Sequence, residues 1–164
     1  MRKFSLLFVF ATTLIAPVGV RSETGMAAMQ YYVGTWTCTG GEIGEAATTA
    51  TLTYTLDEGV MRQWVNVPVQ GKMKKPYVLN AATTYDVKNG RYVQAGLDSD
   101  AAWWVSYAKP WSGDTEVWID HANSSGKLGR GEQTRTNENA FSFSGYSTAS
   151  ATKANFHVIC HRTT

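Results

Sequence analysis

The sequence lacks an excess of either charge once its first residues are set aside. The whole chain carries 15 Lys and Arg against 13 Asp and Glu, but Arg2, Lys3 and Arg21 belong to an N-terminal stretch of different character. Without them, twelve basic residues stand against thirteen acidic ones, a net charge of −1. So neutral a domain has no general attraction for nucleic acid or anionic lipid. Lys72, Lys74 and Lys75, beside Pro76, form one local basic cluster with the composition of a solvated loop tip. Long helical periodicity is also missing. So are the signatures of common enzymes: there is no Gly-x-Ser-x-Gly elbow, no phosphate-binding loop and no His-Glu-x-x-His pair. No cofactor is implied.

The N-terminal stretch has the layout of an export leader. Arg2 and Lys3 precede an almost uncharged run, Phe4 to Val20, and Val20-Arg21-Ser22 ends it. Cleavage is expected after Ser22, leaving a mature domain over residues 23–164. Pro17 and Gly19 cut the apolar run short of the roughly 20 residues that a membrane span needs, so no span remains after the leader is removed. Export places the chain in a periplasmic or extracellular compartment, where its only two cysteines, Cys38 and Cys160, are expected to pair. Closing so long a loop would stabilise the fold by roughly 4 kcal/mol in the chain-entropy model.

The mature part is rich in Thr, Val, Tyr and Trp, residues that suit a pleated, half-buried surface. One helical turn is predicted over Gly25–Tyr32. About ten short strands then follow, separated by turn signals such as Asp57-Glu58-Gly59, Lys88-Asn89-Gly90 and Asn137-Glu138-Asn139. They run from Gly34–Gly40, Thr49–Leu56 and Val60–Val67 to Leu128–Thr136, Ala140–Tyr146 and Lys153–Arg162. So many strands in one small domain either stack as a sandwich or close on themselves, and closure removes both edges. A Cys38–Cys160 bridge between antiparallel first and last strands sets Trp36 opposite Arg162. Alternation then puts Gly34, Trp36 and Cys38 on one face with Phe156, Val158, Cys160 and Arg162, where the guanidinium can lie on the indole. The expected fold is all-β: a single antiparallel up-and-down barrel.

These residues resemble the calycin superfamily of lipocalin-like barrels, whose members often begin with a helical turn and a Gly-x-Trp and carry a late Arg that covers the Trp. Here the corresponding residues are Gly34-Thr35-Trp36 and Arg162. The middle of the chain, with Tyr85-Asp86, Asn89-Gly90, Tyr92-Val93 and Asp98-Ser99, is more similar to uncharacterised bacterial barrel families. Ten strands also suit the nitrobindin-like and fatty-acid-binding-protein-like branches. The nitrobindin-like resemblance would imply haem held by a late histidine; His157 is the nearest candidate, but its parity points it outward.

Aromatic residues are the strongest remaining feature. Trp36, Tyr54, Trp64, Trp103, Trp104, Trp118, Phe143 and Tyr146 all fall in predicted strands. They could line a ligand pocket or simply fill the barrel. Trp103 and Trp104 are neighbours, so they cannot both face inward. Arg62 and Trp64 share one face; Glu116, Trp118 and Asp120 share another. If both faces line the lumen, Arg62 and Glu116 are buried charges that need each other or a polar ligand. The ligand-binding candidates are therefore Tyr54, Arg62, Trp64, Glu116, Trp118 and Phe143. Asp120-His121 point to opposite faces, the histidines have no metal-ligand spacing, and Asp98 and Asp100 sit in a turn that they can cap. Asn123-Ser124-Ser125 is a glycosylation sequon in a eukaryotic host only. The leading expectation is a binder of a small, partly apolar molecule. The alternatives are a solid-packed barrel acting through Trp111 and the Lys72–Lys75 loop, and an enzyme centred on Arg62 and Glu116.

Overall fold

Alternating apolar and polar residues, broken by Gly- and Asn-containing turns, fold into ten strands in the computed structural model, which describes residues 25–163. The leader expected over residues 1–22 lies outside the described residues. A 3-10 helix, Gly25–Tyr32, leads into β1 (Gly34–Glu42), β2 (Thr48–Asp57), β3 (Val60–Val67), β4 (Tyr77–Asp86) and β5 (Arg91–Asp98). The chain continues through β6 (Trp103–Ala108), β7 (Thr115–Asn123), β8 (Arg130–Asn137), β9 (Ala140–Tyr146) and β10 (Phe156–Arg162). Each strand pairs antiparallel with the next, and β1 pairs with β10, so the sheet is a closed up-and-down barrel without edges. Among the described residues no helix is long and apolar enough to cross a membrane.

The seam has the predicted register. Cys38 lies opposite Cys160 and Trp36 opposite Arg162, and the two cysteines form a disulfide. Two predicted strands start two or more residues later than expected. β8 begins at Arg130, after an exposed Leu128, and β10 begins at Phe156, because Lys153–Asn155 belong to the connection from β9.

One end of the barrel is plugged. The 3-10 helix lays Met29 and Tyr32, 0% and 1% exposed, across the ends of the strands. Trp36 is fully buried beneath it, its indole Nε1 donating to the Tyr32 carbonyl at 2.7 Å. Arg162 covers the same indole, with Cζ 4.2 Å from the ring, and donates to the carbonyls of Val33 and Tyr31, each at 2.7 Å. The Arg therefore ties the helix, the first strand and the last strand together. Gly34 makes room for it: the residue sits at φ 126°, and a Cβ there would stand 2.9 Å from the Arg162 Nη1. Arg135 makes a second clamp, donating to the Ala28 carbonyl at 2.7 Å while its guanidinium lies 3.9 Å from the Trp111 ring.

Trp111 is thus not an exposed loop residue. It is half-buried and stacks on Tyr32, with ring centroids 5.8 Å apart, as part of the plug. This removes it from the candidate contact surface.

Candidate functional site: an open lumen with a polar floor

Above the plug the barrel is hollow. A cavity of about 1000 Å³ runs up to the opposite end, where the β1–β2, β3–β4 and β9–β10 connections form its rim. Solid filling by side chains is therefore excluded, and the size matches small-molecule sites, which typically occupy roughly 300–1,000 Å³.

The hollow depends on how the wall rings are seated. Gly96 lies directly opposite Trp104 across β5 and β6, and a Cβ at Gly96 would fall within the indole. A Cβ at Gly131 would stand 2.7 Å from the Phe143 ring. Gly145 faces Phe156 in the same way. Each ring lies back over a glycine instead of projecting across the lumen. Gly131→Val should therefore push the Phe143 ring inward. The expected result is a loss of about 2 kcal/mol from overpacking, read by urea unfolding, together with a smaller cavity in a crystal structure. An unchanged cavity would show that the glycine is not what keeps the lumen clear.

The candidate residues divide by face. Tyr54, Glu116, Trp118 and Phe143 line the cavity, and Trp104 joins them. Arg62 and Trp64 do not. Two residues, Glu58 and Gly59, turn β2 into β3, and Asp57 pairs with Val60. That pairing sets Gln63 opposite Tyr54, turning Met61, Gln63 and Val65 inward and Arg62, Trp64 and Asn66 outward. Trp64 is 43% exposed on the outer wall, in one row with the exposed Leu97 and Trp103. The expected Arg62–Glu116 pair is accordingly absent, and with it the basis for an enzyme centred there.

Glu116 is fully buried at the cavity floor. Burial pushes its carboxyl up to about 8; the hydrogen bond from Trp118 and the Arg135 charge oppose the rise without cancelling it. Trp118 Nε1 donates to Glu116 Oε2 at 3.0 Å, while Oε1 has no hydrogen-bond partner. Around it stand three tyrosines. Burial and the neighbouring Glu116 raise Tyr32 and Tyr54, and push Tyr92 up to about 12, so all three remain neutral phenols. Gln63 Nε2 donates to Tyr54 Oη at 3.1 Å. Tyr32 Oη is buried without a hydrogen-bond partner, although the Arg135 guanidinium flanks it.

Two further polar groups were not recognisable as a site from the sequence. Trp104 Nε1 donates to Gln94 Oε1 at 3.3 Å, and Gln94 Nε2 donates to Thr83 Oγ1 at 3.1 Å. Higher up, Ser106 Oγ donates to Asp120 Oδ1 at 2.7 Å. Strand alternation carried through the hairpin turns would have placed Gln63 and Gln94 inside; nothing local marks them. His121 faces outward against Tyr107, with ring centroids 4.9 Å apart, and His157 bonds Ser144 at 2.9 Å away from the cavity. Asp98 Oδ1 accepts from the backbone of Asp100 and Ala102, the expected turn cap.

No family model and no curated protein matches the chain. What the barrel holds must be inferred from its own lining: aromatic and aliphatic walls, with hydrogen-bonding groups gathered at the floor.

Proposed function

We propose that the protein is an exported, lipocalin-like carrier that holds a small, partly apolar molecule in its lumen. The observation that carries this is the open cavity of about 1000 Å³, walled by Leu52, Val65, Trp104, Trp118 and Phe143 and floored by polar groups. A barrel selected only for stability would fill that space, since interiors pack densely and empty volume costs stability. The disulfide fits an oxidising compartment, and the Gly34–Trp36–Arg162 arrangement fits the calycin resemblance.

The test is binding of an uncharged, environment-sensitive apolar dye, Nile red. Ala50→Trp, which places an indole on the cavity wall, should lower dye affinity at least about tenfold while leaving the circular dichroism spectrum unchanged. Trp64→Ala on the outer wall should leave the affinity unchanged. Equal dye binding by Ala50→Trp and the wild type would place the dye outside the lumen and remove the support for a carrier.

A further inference from the structure

The floor of the lumen combines features that point to one ligand chemistry. Glu116 is 1% exposed, lines the cavity and leaves Oε1 without a partner. A buried polar atom with no partner is rare in a native fold and calls for a specific reason. Tyr32, Tyr54 and Trp118 line the cavity with it, the Tyr32 and Tyr54 rings lie 5.6 Å apart, and the Trp118 indole turns its N–H to Oε2. Aromatic faces attract cations, and more strongly when water is excluded.

The charge along the cavity points the same way. Glu42, Glu45, Asp98, Asp100 and Asp120 line it above Glu116, with Lys74, Lys75 and Arg130, and Arg135 stands near Glu116. Lys75 and Asp100 pair with each other at 2.6 Å and Arg130 pairs with Glu132 at 3.3 Å, which leaves Glu42, Glu45, Asp98 and Asp120 against Lys74 outside those pairs. Such a lumen favours positive ligands and disfavours carboxylates.

We propose that the floor is an ammonium site, in which the Glu116 carboxylate, within its wall of aromatic rings, takes a primary or secondary amine borne on an apolar body. This rests on the carrier function proposed above and names the head group of its ligand. The groups facing Glu116 are Tyr32 from the helix, Tyr54 from β2, Tyr92 from β5, Trp118 from β7 and Arg135 from β8. Arg135 is the only cation among them, and it is held by the Ala28 carbonyl and the Trp111 ring. In the empty barrel the acid is protonated at neutral pH. An arriving ammonium keeps its own proton, and the Glu116 proton leaves to solvent. Amine affinity must therefore rise with pH up to about 8 and fall again once the amine itself loses its proton.

The experiment is isothermal titration of the full mature chain with naphthylmethylamine and its neutral isostere naphthylmethanol, in the wild type and Glu116→Gln. The amine is expected to bind wild type at least about tenfold tighter than the alcohol at pH 8. Between pH 6 and pH 8 its affinity should rise roughly 50-fold, with close to one proton released at pH 7, read by repeating the titration in buffers of different ionisation enthalpy. Glu116→Gln keeps an acceptor for the Trp118 indole, and should abolish both the amine preference and the rise in amine affinity between pH 6 and pH 8. The proton count needs only the wild type, so it decides the matter even if the variant folds poorly. Equal binding of amine and alcohol in the wild type would overturn the ammonium site and leave the carrier standing. An amine preference that survives in Glu116→Gln would overturn it as well, since the rim acids would then hold the cation. Failure of both compounds to bind a folded barrel would count against both proposals.

Discussion

Glu116→Gln is expected to stabilise the empty barrel by roughly 3 kcal/mol at pH 7, and not at all at pH 4. The folded-state pKa of Glu116, about 8, lies above its ordinary value of 4.5. The folded protein therefore keeps a proton that the unfolded chain has released. The native state is unpenalised below about pH 4.5, loses stability as pH climbs from there through about 8, and loses no more above that, where the accumulated cost is about 5 kcal/mol. The side chain is 1% exposed, so solvent screens little of this. Glutamine has no charge to desolvate and still accepts from Trp118. Urea unfolding of both proteins at pH 4, 7 and 9 reads the effect. A stability difference that does not change with pH would mean that Glu116 is not the group paying for burial. A residue that lowers the stability of its own fold at working pH is what a site reserved for a ligand requires.

The second large effect belongs to the disulfide. Cys38→Ala with Cys160→Ala should cost about 4 to 5 kcal/mol, because the bridge closes a loop spanning 122 residues in the unfolded chain. Domains of this size hold only about 5–15 kcal/mol in all. The β1–β10 ladder and the Trp36–Arg162 stack remain without the bridge, so the barrel should still close, with a lower denaturation midpoint. Chemical unfolding of the double variant measures this. A change below about 1 kcal/mol would show that the ladder alone holds the seam.

Much of the fold was legible because two residues fixed a frame. Pairing Cys38 with Cys160 set the parity of both terminal strands, and Trp36, Val158 and Arg162 followed from it. Glu116 and Trp118 were also legible, since a charge that alternates with a tryptophan along one strand has to be explained. Arg62 and Trp64 face outward because the turn before them, not their residue type, sets the parity of β3. Glu58 and Gly59, both at positive φ, make a two-residue hairpin that sets Gln63 opposite Tyr54. A turn one residue longer would have reversed the strand, so a short local feature outweighs the appeal of an arginine near a glutamate. Trp111 lies between Pro110 and Ser112, a loop-like setting, and only the helix packing over the strand ends reveals its partner, Tyr32. The role of Gly96 and Gly131 depends on which ring lies across from each, and that is a property of neighbouring strands.

The helical plug has a consequence for traffic. With Met29 and Tyr32 sealing one end and the cavity reaching the rim at the other, a guest of the kind proposed would come and go by a single doorway. A newcomer cannot push the occupant out from behind, and the occupant must depart before another can enter. The residence time of such a guest would therefore be set by the vessel and the guest, not by how crowded the surroundings are.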